Sequence, residues 1–177
     1  WYVQQQQVNG YQSKNDLYCV VATYNNSKTH VPFFNNTVID VYNYANSGGI
    51  NHNNINSHNT KLCARLLNSS SPAKLGVAPC FLPNILAGPY WIVALDVNYT
   101  WAVITGGQPT VQVSNTTCTT KTSGFNGSGL WIFSRKQIID PDTLDHIHVV
   151  MNNHGIDTSL LLNVTQKGCE YNGAYLK

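Results

Sequence analysis

Short runs of β-forming residues, each closed off by Asn, Gly, Ser or Pro, recur along most of this chain and limit what it can become. Eight stand out, at 1–6, 18–24, 37–44, 61–67, 74–81, 90–95, 100–105 and 129–134, rich in Val, Ile, Tyr, Trp and Thr. Eight strands at close spacing point to an antiparallel sandwich or an up-and-down barrel. One stretch breaks the pattern. Asp140-Pro141 reads as an N-cap followed by proline at the first helical position. Leu144, Ile147, His148 and Met151 then recur with helical spacing, and Gly155 supplies a stop. The spacing predicts one amphipathic helix over 141–154, laid on the outside of the sheet, and a short strand within 159–165.

With 177 residues the chain fits a single domain. Only 10% of its residues are charged and the net charge is +2, with no Lys/Arg run, which argues against nucleic acid as a partner. No apolar run approaches the roughly 18 residues of a spanning helix. Asn, Ser and Thr therefore carry the solubility, and the polar 46–59 loop is expected to be mobile.

Five cysteines, at 19, 63, 80, 118 and 169, form no C-x-x-C pair, so disulfides suit them better than a zinc cluster. Cys63 and Cys80 flank the 68–72 turn almost symmetrically, which suits a cross-strand bridge. Asn-X-Ser/Thr sequons begin at Asn25, Asn35, Asn68, Asn98, Asn115, Asn126 and Asn163. Disulfides and sequons together predict a secreted glycoprotein. The start at Trp1, without Met or a signal sequence, reads as a mature or trimmed product.

Three local motifs carry a family resemblance. Trp1-Tyr2 opens the first strand. Gly88-Pro-Tyr-Trp-Ile-Val-Ala-Leu-Asp96 is followed by Asn98-Tyr-Thr-Trp-Ala-Val-Ile104, a strand pair joined by a tight acidic turn. Leu130-Trp-Ile-Phe-Ser-Arg135 directly precedes the helix. In this order the chain resembles the lipocalin family along essentially its whole length. It is nearest the apolipoprotein D, bilin-binding and bacterial and plant branch, to which Pro72-Ala-Lys-Leu75 and Asp157 are also similar. Two segments depart from that pattern: the 108–129 connection and the 46–59 loop are both expanded.

The resemblance implies an all-β fold, an eight-stranded antiparallel up-and-down barrel with one C-terminal helix packed outside. The barrel would span about 1–135, the helix 141–154, and a strand and tail 159–177. It implies a barrel floor in which Arg135 lies across Trp1, and a bridge from Cys19 to Cys169. Cys118 would then be either free or paired to a cysteine upstream of the first motif. Carried over by strand parity, the resemblance places Val20, Ala22 and Tyr24 inside on the second strand, with Cys19 outside. Ile39, Val41 and Asn43 follow on the third, with Asp40 in water, then Tyr90 and Ile92, then Trp131 and Phe133. The candidate ligand-contacting residues are Val20, Tyr24, Val41, Asn43, Tyr90, Ile92, Trp131 and Phe133.

The function this implies is a secreted carrier for a small hydrophobic ligand, such as a bilin or other pigment, a steroid or a fatty acyl lipid. No cofactor is obligatory, although a bound chromophore such as a bilin or carotenoid fits the aromatic lining. Self-association is left open. His52 and His58 share a loop but form no recognisable metal set, and His146 and His148 point to different sides of the helix. No nucleophile elbow and no paired carboxylates are present, so no catalytic residue is assigned. Two alternatives stand beside the carrier. One is an isomerase or de-epoxidase on the same barrel, which would need an inward thiol or carboxylate. The other is an extracellular interaction protein with a filled interior.

Overall fold

Alternation of apolar and polar side chains gives each strand one face for the interior and one for the outside, and closure of the sheet removes its edges. The computed structural model describes residues 1–26, 29–56, 60–124 and 126–174. Eight strands build the wall: β1 (Tyr2–Gln6), β2 (Tyr18–Asn26), β3 (Val38–Asn46), β4 (Leu62–Leu66), β5 (Lys74–Pro79), β6 (Gly88–Leu95), β7 (Trp101–Thr105) and β10 (Leu130–Ser134). Each pairs antiparallel with its neighbour in the order β10-β7-β6-β5-β4-β3-β2-β1, and β1 pairs back with β10. The barrel is closed.

Register shifts fall between Val3 and Gln5, between Tyr18 and Val21, and between Ile92 and Ala94. Such bulges raise the local twist that closure requires. Beyond the wall lie two short strands, β8 (Val111–Gln112) and β9 (Cys118–Thr119), which pair with each other, then helix α1 (Pro141–Asn153) and β11 (Leu162–Asn163) on β1.

The helix ends one residue before its expected bound, because His154 is the C-cap and Gly155, at φ +70°, carries the chain away. Asp140 occupies the N-cap without capping. Its carboxylate instead takes a 2.5 Å hydrogen bond from Lys136 Nζ. Ile147 and Met151 are buried against Trp101, Val103, Leu130 and Ile132 on the outer face of β7 and β10, with Leu144 at the margin. His148 also faces the wall, its Nε2 2.6 Å from Gln5 Oε1 on β1, while the outward face carries Asp142, Asp145, His146 and Asn152 with Val149 among them.

The expanded segments have more structure than their composition suggests. The described part of the 46–59 loop is held by its own asparagines. Asn46 Nδ2 donates to Tyr44 Oη and to the His52 carbonyl, and Asn51 N donates to Asn46 Oδ1. Asn51 Nδ2 reaches the Gly168 carbonyl, tying the loop to the C-terminal tail. In this part of the loop side-chain amides supply the partners that a sheet would have given. His58 lies outside the described residues. In the 108–129 connection, the β8–β9 pair is docked by Gln7, which donates to the Thr120 carbonyl at 2.7 Å and accepts from Thr119 Oγ1 at 2.8 Å.

Between β6 and β7, Asp96 Oδ2 accepts from Thr100 Oγ1 at 2.7 Å and from the amides of Thr100 and Asn98, each at 3.2 Å. The Thr100 hydroxyl, then its amide, hold this carboxyl below the usual carboxylate range. A depressed folded-state pKa gives stability that is complete above the unfolded value, about 3.9, and fades as pH falls through the folded value. The Asp96 carboxyl is therefore expected to titrate below about 3.9 by NMR. Thr100→Val should move that midpoint upward, and an unchanged midpoint would remove Thr100 as the cause.

Candidate functional site

The inward residues follow from register. Tyr24 faces Val41, Ala22 faces Asn43, and Leu75 faces Tyr90. Ile92 and Trp131 both face Ile104, and Phe133 lies between Ala102 and Val3. All eight candidates therefore share the interior face. Val20, Val41, Trp131 and Phe133 are buried, and Asn43 is exposed. Tyr24, Tyr90 and Ile92 are half-buried although the barrel encloses them. Ile39, Leu62 and Val77, on the same face of β3 to β5, also keep accessible surface. A close-packed core would leave none. The β1, β7 and β10 side is filled by Val3, Ala102, Ile104, Trp131 and Phe133, whereas several inward residues of the β2 to β6 side are only half-buried, so the space there is less tightly filled.

Two tyrosines cross that space. β2 and β6 stand on opposite sides of the eight-strand ring. The hydroxyls of Tyr24 and Tyr90 nevertheless meet at 2.6 Å. Burial pushes both phenols well above their ordinary pKa, and Tyr24 adds to the effect on Tyr90. Tyr11 was missing from the sequence-based set. It sits on the β1–β2 connection in the tight turn Asn9-Gly-Tyr-Gln12, where its amide donates to Asn9 Oδ1. It is 54% exposed, yet burial raises its pKa to about 12 and its charge would be felt by Tyr90. Both hold for a ring that approaches Tyr90. The Asn-Gly turn was legible, but the direction of the ring was not. Gln6, opposite Trp131 on the inward face, is fully buried with both amide atoms unpartnered.

At the other end of β1 the Arg135 guanidinium lies 3.8 Å from the Trp1 ring centroid, with Phe133 at 6.4 Å from Trp1. Such a contact contributes about 0.5–2 kcal/mol. Arg135 itself is exposed, so the stack seals the floor without bringing a charge inside.

Cys19 is bonded to Cys169, and Cys63 to Cys80. Cys63 lies opposite Asp40, on the outer face. Asp40, Cys63 and Cys80 converge, but both sulfurs are committed to the disulfide and Asp40 is 3.6 Å from Lys61. Cys118 is unbridged and half-buried in an outer cleft of about 450 Å³ that also touches Trp91 and His154. All seven sequon asparagines are exposed. No helix among the described residues is long and apolar enough to cross a membrane.

No family model matches the chain. Among curated proteins it is 30% identical over 107 residues to apolipoprotein D of Mus musculus, and 27% identical over 106 residues to that of Rattus norvegicus. Each alignment covers 60% of this chain and 49% of the relative, so the chain spans about half the length of the curated relatives it matches. Among solved structures, apocrustacyanin C2 superposes with a TM-score of 0.61 at 15% identity, covering 98% of this chain and 80% of that one. Lobster apocrustacyanin A1 gives 0.61 at 16% identity with the same coverage. At these identities the structural likeness is one of fold. Taken with the ring closed between β1 and β10, the helix outside it and the sequence similarity to apolipoprotein D, it supports membership of the lipocalin family.

Proposed function

We propose that this protein is an extracellular carrier that holds a small lipophilic molecule inside the barrel and performs no chemistry on it. The observation that carries this reading is the accessible surface kept by Tyr24, Tyr90 and Ile92 at inward strand positions. An aromatic and aliphatic hollow with a few hydrogen-bonding groups suits a flat, mostly apolar ligand. Burying about 200 Å² of ligand surface would contribute about 5 kcal/mol before the entropic costs of binding. Bilins, carotenoids, steroids and fatty acyl lipids are the candidates. The two disulfides and the exposed sequons support an oxidising, extracellular setting. The isomerase alternative lacks support from position: among the described residues no thiol or carboxylate occupies an inward strand position.

The test is native mass spectrometry of chain secreted from eukaryotic cells, compared with its denatured, deglycosylated mass. The expected result is one organic molecule of a few hundred daltons retained only in the native state, roughly the size such a pocket holds. N-glycosidase treatment should lower the mass further. Visible absorption of the purified protein would select a pigment over a lipid. A chain that retains nothing and binds no lipophilic probe would overturn the carrier reading.

A further inference from the structure

We infer that the barrel selects lipophilic ligands whose polar end is neutral, and discriminates against the carboxylate version of the same skeleton. This rests on the carrier reading above and goes on to name the chemistry of the ligand's polar end.

The argument starts from where the wall puts its charges. Among the described residues, the inward strand positions carry no Lys, Arg, His, Asp or Glu. The charged wall residues among those described face out and are engaged there. Asp40 lies beside Lys61. Arg65 donates to main-chain carbonyls. Lys74 sits 4.3 Å above the Trp91 ring. Arg135 is held on the outer side of the floor by Trp1. Among the described strand residues a ligand carboxylate would therefore meet no counter-ion, and an unpaired charge taken from water is strongly penalised.

What the interior does offer is neutral. The phenols of Tyr24 and Tyr90 and the amides of Asn43 and Gln6 can give or take a hydrogen bond without a charge. The Tyr24–Tyr90 pair is already satisfied, so a ligand carbonyl or hydroxyl that takes one phenol proton exchanges one neutral hydrogen bond for another. The unpartnered Gln6 amide gives such an end a second place to gain one. Enclosure already pushes the Tyr24 and Tyr90 hydroxyls away from their anionic form. An oxyanion brought by a ligand to the same spot meets the same loss of solvation.

Two pairs of probes test this on the full chain by tryptophan quenching and probe fluorescence at pH 8: retinol against retinoate, and the methyl ester of 11-(dansylamino)undecanoic acid against its carboxylate. The neutral member of at least one pair should bind about tenfold or more tightly than its anion. Lowering the pH towards the carboxyl range, about 4–5, should close that gap by protonating the acid. A merely steric preference would not respond in this way. Tyr24→Phe/Tyr90→Phe, its fold checked by thermal melting, should weaken the neutral probe severalfold and the carboxylate less. Equal or tighter binding of both anions would overturn the inference while leaving the carrier reading standing. Failure of all four probes to bind would count against the carrier reading, and this inference would go with it.

Discussion

Replacing both members of the Cys19–Cys169 bridge with alanine is expected to lower unfolding stability by about 2–5 kcal/mol. The cross-link closes a loop with a sequence separation of 150 residues. The chain-entropy treatment gives about 5 kcal/mol for a loop of that size, and about 3 kcal/mol for the 17-residue separation of Cys63–Cys80. Native contacts raise the stakes. The bridge pins the C-terminal tail where Tyr171 and Ala174 cover Val21, Tyr42 and Tyr44, and where Gln166 donates to the carbonyls of Val3 and Val20. Cys19 also sits at φ +54°, inside the bulge of β2. Alanine there keeps that backbone cost, whereas glycine relieves it. Urea unfolding of Cys19→Ala/Cys169→Ala should show a midpoint lower by about 1–2 M. Cys19→Gly/Cys169→Ala should recover part of the loss. If the alanine pair unfolds within about 0.5 kcal/mol of the parent, the tail is held by its packing alone and the cross-link is redundant.

The barrel itself was readable because its wall obeys a period of two. Tyr24, Val41, Tyr90, Ile92, Trp131 and Phe133 share one face by alternation, and the bulges fall where they do not reverse it. The helix was equally legible, since Ile147 and Met151 are spaced for one face and both are buried. Features that depend on contacts distant in sequence were not. Nothing local marks β8 and β9 as strands: each has two residues, and their docking comes from Gln7, more than a hundred positions away. Asn46, Asn51 and Asn54 read as solvated loop because an asparagine alone does not reveal whether its amide meets water or a neighbouring main chain. Tyr11 belongs to the same class. Its turn was written in Asn9-Gly10, but the ring's approach to Tyr90 depends on a strand distant in sequence.

Arg65 shows most sharply what a strand pattern leaves out, and its removal is the second large effect expected. In sequence it is a charge at an outward position of β4, which ordinarily means water. Here it is fully buried. Nη1 donates to the carbonyls of Cys63 at 2.9 Å and Ala78 at 3.4 Å, and Nη2 to those of Pro79 at 3.1 Å and Leu82 at 2.9 Å. No carboxylate takes part. Gly76, its neighbour on β5, is already crowded, since a Cβ there would stand 3.1 Å from Ala87 and 3.2 Å from Leu67. The guanidinium thus fastens the β5–β6 connection, which displays Phe81, Ile85 and Leu86 to the outside. Two costs compete on substitution. Burying an ion costs several kcal/mol, so removing it returns something. Against that, charge-assisted bonds contribute about 1.5–3 kcal/mol each, and every carbonyl left unpaired costs about 1–3 kcal/mol. The Pro79 carbonyl keeps the Leu82 amide, but with the other acceptors and the charge-assisted bonds at stake the second term is larger. Arg65→Met, which keeps the stem and deletes the donors, is expected to lose about 2–4 kcal/mol in urea unfolding. Amide exchange should rise selectively across residues 80–87, while the β7–β10 ladder keeps its protection relative to global unfolding. Arg65→Lys should fall between the two, because one ammonium cannot span four carbonyls. A methionine variant as stable as the parent would mean that water or main-chain rearrangement satisfies those carbonyls, and that the loop is held by the Cys63–Cys80 bridge without the arginine.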